Sequence, residues 1–288
     1  MSYDERIHHT NVSWRASFQD DFTRDLMGYV TVASGYKGPG FNLAWAGHPG
    51  AAPVGPETSM DYEIGVKSTF FQAVTLNASL YWEDFKDFQT QSYLPGPTPG
   101  SGTDIVQNAG RLRAKGIEAQ AQWNATRALK FSAGFNYNDA VYAEFPRAPC
   151  YPGQTAAQGC AAGFVNASGN ALTNAPRWTG NLAGDYQQPI NARLTALVHA
   201  DAYALSAVNF SPNLDPSTAQ SGYRLFNASV GLGDANEKWK VALFCRNCFD
   251  RRFASFIANN PAGGPTDYDQ SFALDSFRLI GISADLHF

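Results

Sequence analysis

The chain has 288 residues, of which 44% are hydrophobic, 14% aromatic and 16% charged, with a formal net charge of −4. Twenty Phe, 13 Tyr and 6 Trp exclude a disordered chain, and the acidic balance gives no electrostatic footprint for nucleic acid. No stretch approaches the ~18 apolar residues of a membrane-spanning helix; the region 192–210 still carries Arg193, His199 and Asp201. A helical membrane protein is excluded, whereas a membrane β-barrel is not, because its alternating strands give a hydropathy like that of a soluble protein.

From the N-terminus, Met1 to Arg6 opens with acids and has no apolar run behind it, unlike a secretory signal peptide. The expectation is either a cytoplasmic protein or a chain that is not a whole precursor. The dominant period after that is two. Val12, Trp14, Ala16 and Phe18 alternate with Ser13, Arg15 and Ser17; Val74, Leu76, Ala78, Leu80 and Trp82 alternate with Thr75, Asn77, Ser79 and Tyr81. Ile117 to Trp123, Leu129 to Tyr137, Trp239 to Leu243 and Ile280 to Phe288 repeat the pattern, which predicts half-buried strands. Eleven strands are expected, near 11–20, 25–37, 58–71, 73–92, 111–124, 127–143, 175–188, 191–206, 222–233, 237–257 and 273–288.

The expected connections alternate in length. Short turns follow the odd-numbered strands, and long segments rich in Gly, Pro, Asn and Ser follow the even-numbered ones, at 38–57, 93–110, 144–174, 207–222 and 258–270. An up-and-down meander with every other connection long predicts an all-β, antiparallel transmembrane β-barrel wall, with tight turns on one rim and long loops on the other. A soluble β-sandwich accounts for the alternation but not for the loop asymmetry. Trp82, Trp123, Tyr137, Tyr186 and Trp239 fall near strand ends, where an interface girdle needs aromatics.

Four cysteines form two pairs. Cys150 and Cys160 lie ten residues apart in a loop and can close a disulfide, which implies an oxidising compartment; two unpaired loop thiols are the alternative. Cys245 and Cys248 sit in what reads as a strand. There, residues three apart face opposite ways and stand roughly 10 Å apart, beyond the ~7 Å that a disulfide tolerates, so this C-x-x-C is expected to be neither a redox pair nor half of a zinc site.

Six blocks then resemble those of TonB-dependent outer-membrane receptors of the siderophore type. They are Gly35-Tyr-Lys-Gly-Pro-Gly-Phe-Asn42, Pro56-Glu57 with Tyr62-Glu-Ile-Gly-Val-Lys67, Asn108-Ala-Gly110 with Lys115-Gly-Ile-Glu118, Ala175-Pro-Arg-Trp178, Arg246-Asn-Cys-Phe-Asp-Arg-Arg-Phe253, and the apolar C-terminal strand. Cys248 stands where the family usually has Leu. The alternation of Ile280, Ile282 and Leu286 up to the terminal Phe288 resembles the signal read by the barrel assembly machinery.

The resemblance implies a 22-stranded barrel filled by an N-terminal plug, with a TonB box before the plug. None of these N-terminal parts lies within residues 1–288, so the expectation is the C-terminal half of the barrel domain, about 11–12 of the 22 strands. It further implies the outer membrane of a Gram-negative bacterium, contacts with the lipid bilayer and lipopolysaccharide, assembly with a missing N-terminal half, and coupling to the TonB complex through the missing box. The ligand class implied is a ferric siderophore or similar scarce nutrient, bound at the outer mouth without a resident cofactor. In that setting Phe41, Trp45, Tyr93, Tyr151 and Phe164 could stack on a chelate, and Arg111, Arg113, Arg147 and Arg177 could pair with an anionic complex. The alternative for each is ordinary loop packing, or contact with lipopolysaccharide and nearby carboxylates. His199, Asp201 and Tyr203 share a strand face and are expected to form a hydrogen-bond ladder in a watery lumen rather than a ligand set. No G-x-S-x-G, H-E-x-x-H or P-loop sequence is present, so an enzyme is not expected. A self-contained passive barrel, porin- or adhesin-like, is the competing reading.

Overall fold

The computed structural model describes residues 6–42, 53–95, 102–260, 264 and 267–287. Its centre is one eleven-stranded antiparallel sheet. The strands are β1 (Arg15–Thr23), β2 (Leu26–Lys37), β3 (Glu57–Phe70), β4 (Val74–Lys86), β7 (Arg111–Asn124), β8 (Leu129–Glu144), β11 (Trp178–Pro189), β12 (Leu194–Leu205), β15 (Tyr223–Asp234), β16 (Trp239–Arg246) and β19 (Leu279–Leu286). They neighbour one another in chain order, a pure meander with β1 and β19 as its edges. No helix among the described residues is long and apolar enough to cross a membrane.

The remaining strands are short hairpins inside the long connections. They are β5 (Gln89–Pro95) with β6 (Gly102–Asn108), β9 (Ala148–Pro149) with β10 (Phe164–Val165), β13 (Val208–Asn209) with β14 (Ala219–Gln220), and β17 (Phe256–Asn259) with β18 (Tyr268–Ser271). Two expected strands therefore end early. The run 73–92 breaks after Lys86, where Asp87 takes φ 54°, and the chain re-forms as β5 in a separate hairpin. The run 237–257 breaks after Arg246, where Asn247 takes φ 45°.

That second break corrects the reading of the C-x-x-C. Because Asn247 turns the chain back, the Cα atoms of Cys245 and Cys248 are 5.5 Å apart, and the two sulfurs are joined. A continuous strand would have held them apart; the left-handed residue between them removes that restriction. Opposite, on the short-turn rim, Phe71 and Gln72 (φ 50° and 55°) make the tight link between β3 and β4, the two positive-φ residues that a type I′ hairpin turn requires.

Register assigns the two faces. Phe18, Val30, Ile64, Leu80, Ile117, Tyr137 and Trp178 stand in one row across seven strands. All seven are between 37% and 72% exposed. A second row runs Leu129, Tyr186, Val198, Val230, Leu243 and Ile282. Fully burying one such side chain is worth about 1.5–3 kcal/mol, and a contiguous apolar face this wide does not persist in water. It is a surface made for lipid, while the meander satisfies the backbone of its inner strands internally. The other face is polar, as in the row Thr31, Glu63, Tyr81, Gly116 and Asn138.

Among the described residues no second layer packs behind the sheet, which has no core of its own. The packed apolar cluster lies at the long-loop rim, where Ala109, Leu112, Tyr142, Phe145, Ala148 and Ala167 are buried against Phe85, Phe88, Val165 and Leu172.

Candidate functional site

The long-loop rim is built as a docked assembly. Its first unit is the β5–β6 hairpin. The Glu57 carboxylate, buried at the start of β3, accepts from the Gln89 backbone N–H at 2.6 Å. The Asn108 carboxamide accepts from Gly55 N (2.8 Å) and donates to Gly55 O (3.1 Å) and Asp87 O (2.6 Å). Asn42 brackets the far strand, donating to Val106 O at 2.8 Å and accepting from Val106 N at 2.7 Å. Gly110 turns the chain into β7 with φ 81°.

The second unit is the 145–177 connection. Cys150 and Cys160 are disulfide-bonded with a Cα separation of 5.8 Å. Tyr142, fully buried, carries this loop on its ring and joins Thr90 at 3.1 Å through its hydroxyl, so the loop and the first hairpin share one anchor. Asn213 donates to Pro149 O at 2.8 Å and Asn170 donates to Pro212 O at 3.1 Å, which ties on the third loop.

The third and fourth loops close against each other. Asn247, 1% exposed, donates to Arg251 O (2.9 Å) and Asp275 O (3.1 Å) and accepts from Arg251 N (2.8 Å). Asp215 accepts from Ser217 N at 2.8 Å and Asn259 Nδ2 at 2.5 Å. Between these loops lies a cavity of about 230 Å³, lined by Gln91, Thr173, Asn174, Phe210, Phe256 and Asn259 among others. Phe210 and Phe256 meet edge to face at 5.6 Å. The lining is aromatic and carboxamide, suited to stacking and neutral hydrogen bonding. On the loop beside β19, Asp250 accepts from Arg278 N and from the Arg252 guanidinium, each at 3.0 Å, and these contacts hold its carboxyl below the usual aspartate range.

The residues singled out from sequence fall in three groups. Phe41 precedes Asn42 at the hairpin contact. Tyr93 lies in β5 opposite Asp104, with its side chain outside the described part, and Trp45 lies outside the described residues. Arg147 places its guanidinium 4.2 Å over the Phe164 ring, the two residues flanking the disulfide loop on either side. Arg111, Arg113 and Arg177 take a different position. Arg111 and Arg113 share parity with Ile117, so their side chains emerge on the apolar face of the wall, not the polar one. Arg113 Nε is 3.2 Å from Asp84, Arg111 is 3.7 Å from Glu144, and Arg177 is 3.5 Å from Asp139. Each of these three guanidinium groups is thus held against a carboxylate of the wall.

Sequence reasoning missed the cavity residues Phe210, Phe256 and Asn259. Phe210 and Asn259 lie in loops without periodicity and Phe256 at the end of the expected strand 237–257, and only the pairing of β13–β14 beside β17–β18 brings them together. Lower on the polar face, His199 bridges Asp185 (2.8 Å) and Asp201 (3.1 Å), and Asn227 joins Asp201 to the rim by accepting from Asn247 N at 2.8 Å. On the edge strand, Ile280, Ile282 and Leu286 are 63%, 74% and 66% exposed on the apolar face; Phe288 lies outside the described residues.

Comparison with known proteins gives the same picture. Residues 2–248 match the family described as TonB dependent receptor-like, beta-barrel. The pesticin receptor of Yersinia pestis is 25% identical over 273 residues, covering 92% of this chain and 34% of that protein. The ferric-pyoverdine M114 receptor PbuA of Pseudomonas sp. (strain M114) is 26% identical over 229 residues, 76% of this chain and 25% of that protein. Among solved structures, the ferric yersiniabactin uptake receptor FyuA from Yersinia pestis superposes with a TM-score of 0.74 at 20% identity, over 95% of this chain and 37% of that one. The siderophore receptor PiuA from Acinetobacter baumannii gives 0.67 at 19%, over 94% and 35%. The chain thus spans about a third of the length of the relatives it matches. The meander, its lipid-ready face and these matches have one conclusion: the chain belongs to the family of TonB-dependent receptor β-barrels of the Gram-negative outer membrane.

Proposed function

We propose that this chain is the C-terminal half of the barrel domain of an energised uptake receptor for a ferric siderophore or chemically similar chelate. The observation that carries the reading is the family match along 2–248 on a wall whose outer-rim loops are docked around an aromatic and carboxamide cavity. A passive pore gains nothing from loops braced by buried Tyr142, Asn247 and a disulfide. A receptor needs them, because pre-ordered loops lower the entropy cost of capturing ligand. The cavity residues Phe210, Phe256 and Asn259, together with the sequence candidates Phe41, Trp45, Tyr93 and Arg147, are the proposed ligand-binding set.

In this reading the polar face with its His199 ladder faces the lumen, and the apolar face meets lipid. The remaining strands and a plug complete the barrel, and the TonB complex supplies energy by pulling on the plug segment. The barrel assembly machinery inserts the wall by reading the C-terminal strand. The chemistry is binding and release, without a bond made or broken by the protein, as befits relatives that are receptors rather than enzymes.

The test is uptake of radiolabelled iron by cells starved of iron, with the gene intact or deleted, across a panel of ferric chelates. The expected result is loss of uptake of one chelate class on deletion, and loss of the same uptake when TonB is removed. Uptake that survives removal of TonB would favour the passive barrel.

A further inference from the structure

The cavity between the third and fourth loops has an uncharged lining. None of its described lining residues is Lys, Arg, His, Asp or Glu. Its apolar part is the pair Phe210 and Phe256, whose rings meet at 74°, with Pro212 and Ile257 beside them. Its polar part is amide and hydroxyl. Gln91 comes from β5, Thr173 and Asn174 from the end of the 145–177 connection, and Asn259 from β17. The side-chain carboxamides of Gln91 and Asn174 bond no group among the described residues. Each thus offers two N–H donors and a carbonyl acceptor to an incoming group.

The charge next to this lining is negative. Asp215, 4% exposed, accepts from Asn259 Nδ2 at 2.5 Å and from Ser217 N and Oγ at 2.8 Å each. Asp269 stands across the β17–β18 pair from the lining residue Ala258 and accepts from Asn260 Nδ2 at 3.2 Å. The Asp215–Asn259 bond also joins the third loop to the fourth, so one carboxylate both fixes the shape of the cavity and sets its potential. An anion entering here gives up its water, gains no cation from the lining, and meets the field of Asp215. An uncharged ring gives up little water and packs on Phe210 and Phe256. Its hydroxyl or amide substituents are met by Gln91 and Asn174.

Volume decides how much of a ligand enters. About 230 Å³ exceeds the ~150 Å³ in which a benzene ring is held. It falls short of the roughly 300–1,000 Å³ of sites that enclose a drug-sized molecule. One substituted ring fits, and a whole ferric complex does not.

We propose that this cavity is a side pocket for one uncharged aromatic arm of the chelate and that it rejects arms carrying sulfonate or carboxylate. The inference rests on the receptor reading and narrows its ligand class. The iron and its donor atoms stay outside, and the arm alone is enclosed. Selection works by exclusion as much as by attraction, because an anionic arm finds no cation in the lining and a carboxylate behind it.

The test uses the protein as its host makes it, extracted from outer membranes in mild detergent. Saturation-transfer NMR titrations measure three metal-free fragments: 4-hydroxybenzamide, 4-sulfobenzamide and the non-aromatic 4-hydroxycyclohexanecarboxamide. The expected result is that 4-hydroxybenzamide binds about tenfold more tightly than either of the others. That preference should be lost in the combined Phe210→Ala and Phe256→Ala variant and kept in a Phe71→Ala control at the short-turn rim. Asp215→Asn keeps an acceptor for Asn259 and removes the charge. It should improve the affinity for 4-sulfobenzamide several-fold, a gain that misfolding does not produce. Equal affinity for the hydroxylated and sulfonated rings, no detectable binding of either, or binding unchanged by the double variant would overturn the side pocket while leaving the receptor reading intact. Iron uptake that survives removal of TonB would overturn the receptor reading and leave the fragment preference in place.

Discussion

The hydroxyl of Tyr81 meets Asn138 Oδ1 at 3.0 Å directly above Gly116, in the lumen-facing row that also holds Glu63. A Cβ on Gly116 would stand 2.0 Å from the Tyr137 carbonyl oxygen and 2.6 Å from that hydroxyl. The glycine of the Lys115-Gly-Ile-Glu118 block is therefore a space requirement of the wall, set by a backbone atom of the next strand. Gly116→Ala is expected to destabilise the folded wall by about 1–3 kcal/mol, as overpacking does. Tyr81→Phe should not rescue it, since the nearer clash is with backbone. The urea midpoint of the detergent-folded protein, followed by its heat-modifiable gel migration, checks both statements.

The rim cluster gives a second prediction. Leu112 is 2% exposed and packs beside Tyr142. Leu112→Ala should cost about 2–5 kcal/mol, felt as loosening of the 145–177 loop. Tyr142→Phe keeps the volume but leaves the buried Thr90 hydroxyl without its 3.1 Å partner, a cost of about 1–3 kcal/mol. Limited proteolysis should show earlier cleavage within 145–177 in both variants, with the strands intact.

The Cys150–Cys160 bond closes a loop of sequence separation 10. A loop of this size is stabilised by roughly 2–3 kcal/mol on the chain-entropy account. The double Cys→Ser variant should keep the wall and lose protection around Gly153 to Gly163. A two-dalton rise in the mass of the peptide on reduction verifies the bond. Full protection in the variant would show that Tyr142 and Asn213 hold the loop unaided.

Asp250 supplies a pH dependence. Its carboxyl is held below the usual aspartate range, first by the Arg278 backbone N–H and then by the Arg252 guanidinium. A depressed carboxylate contributes stability that is present above the ordinary aspartate value and is lost as pH falls through the folded one. The loop around Asp250 should thus be unaffected between pH 7 and about 4 and loosen on further acidification. Asp250→Asn should remove that acid response. Carboxyl chemical shifts of Asp250 across the titration would reveal it directly.

Much of this was legible in the residues. Period-two alternation in six segments, with the turn and loop pattern between them, places all eleven wall strands, and β7 runs over the expected 111–124. Alternation reports a face that persists, so it overran where the chain leaves the wall while staying extended. Asp87 and Asn247, both left-handed, mark those exits, and neither residue type announces positive φ by itself. The short family blocks share a purpose in the structure. Asn42, Glu57, Asn108 and Asn247 are the side chains that fasten loops to the rim. The outward position of Arg111 and Arg113 was available from parity with Ile117. The cavity was not, because its walls come from loops far apart in sequence.

The central claim is that this wall stands in lipid with its alternate residues outward. Nitroxide labels placed singly at Ile64, Leu80, Leu182 and Val230, and at their neighbours Glu63, Ser79, Asn181 and Ser229, test it in reconstituted outer-membrane vesicles. The account predicts that the first four relax with membrane-dissolved oxygen and the second four with a water-soluble nickel chelate, in strict alternation. Labels on both faces responding equally to the aqueous relaxant would contradict it.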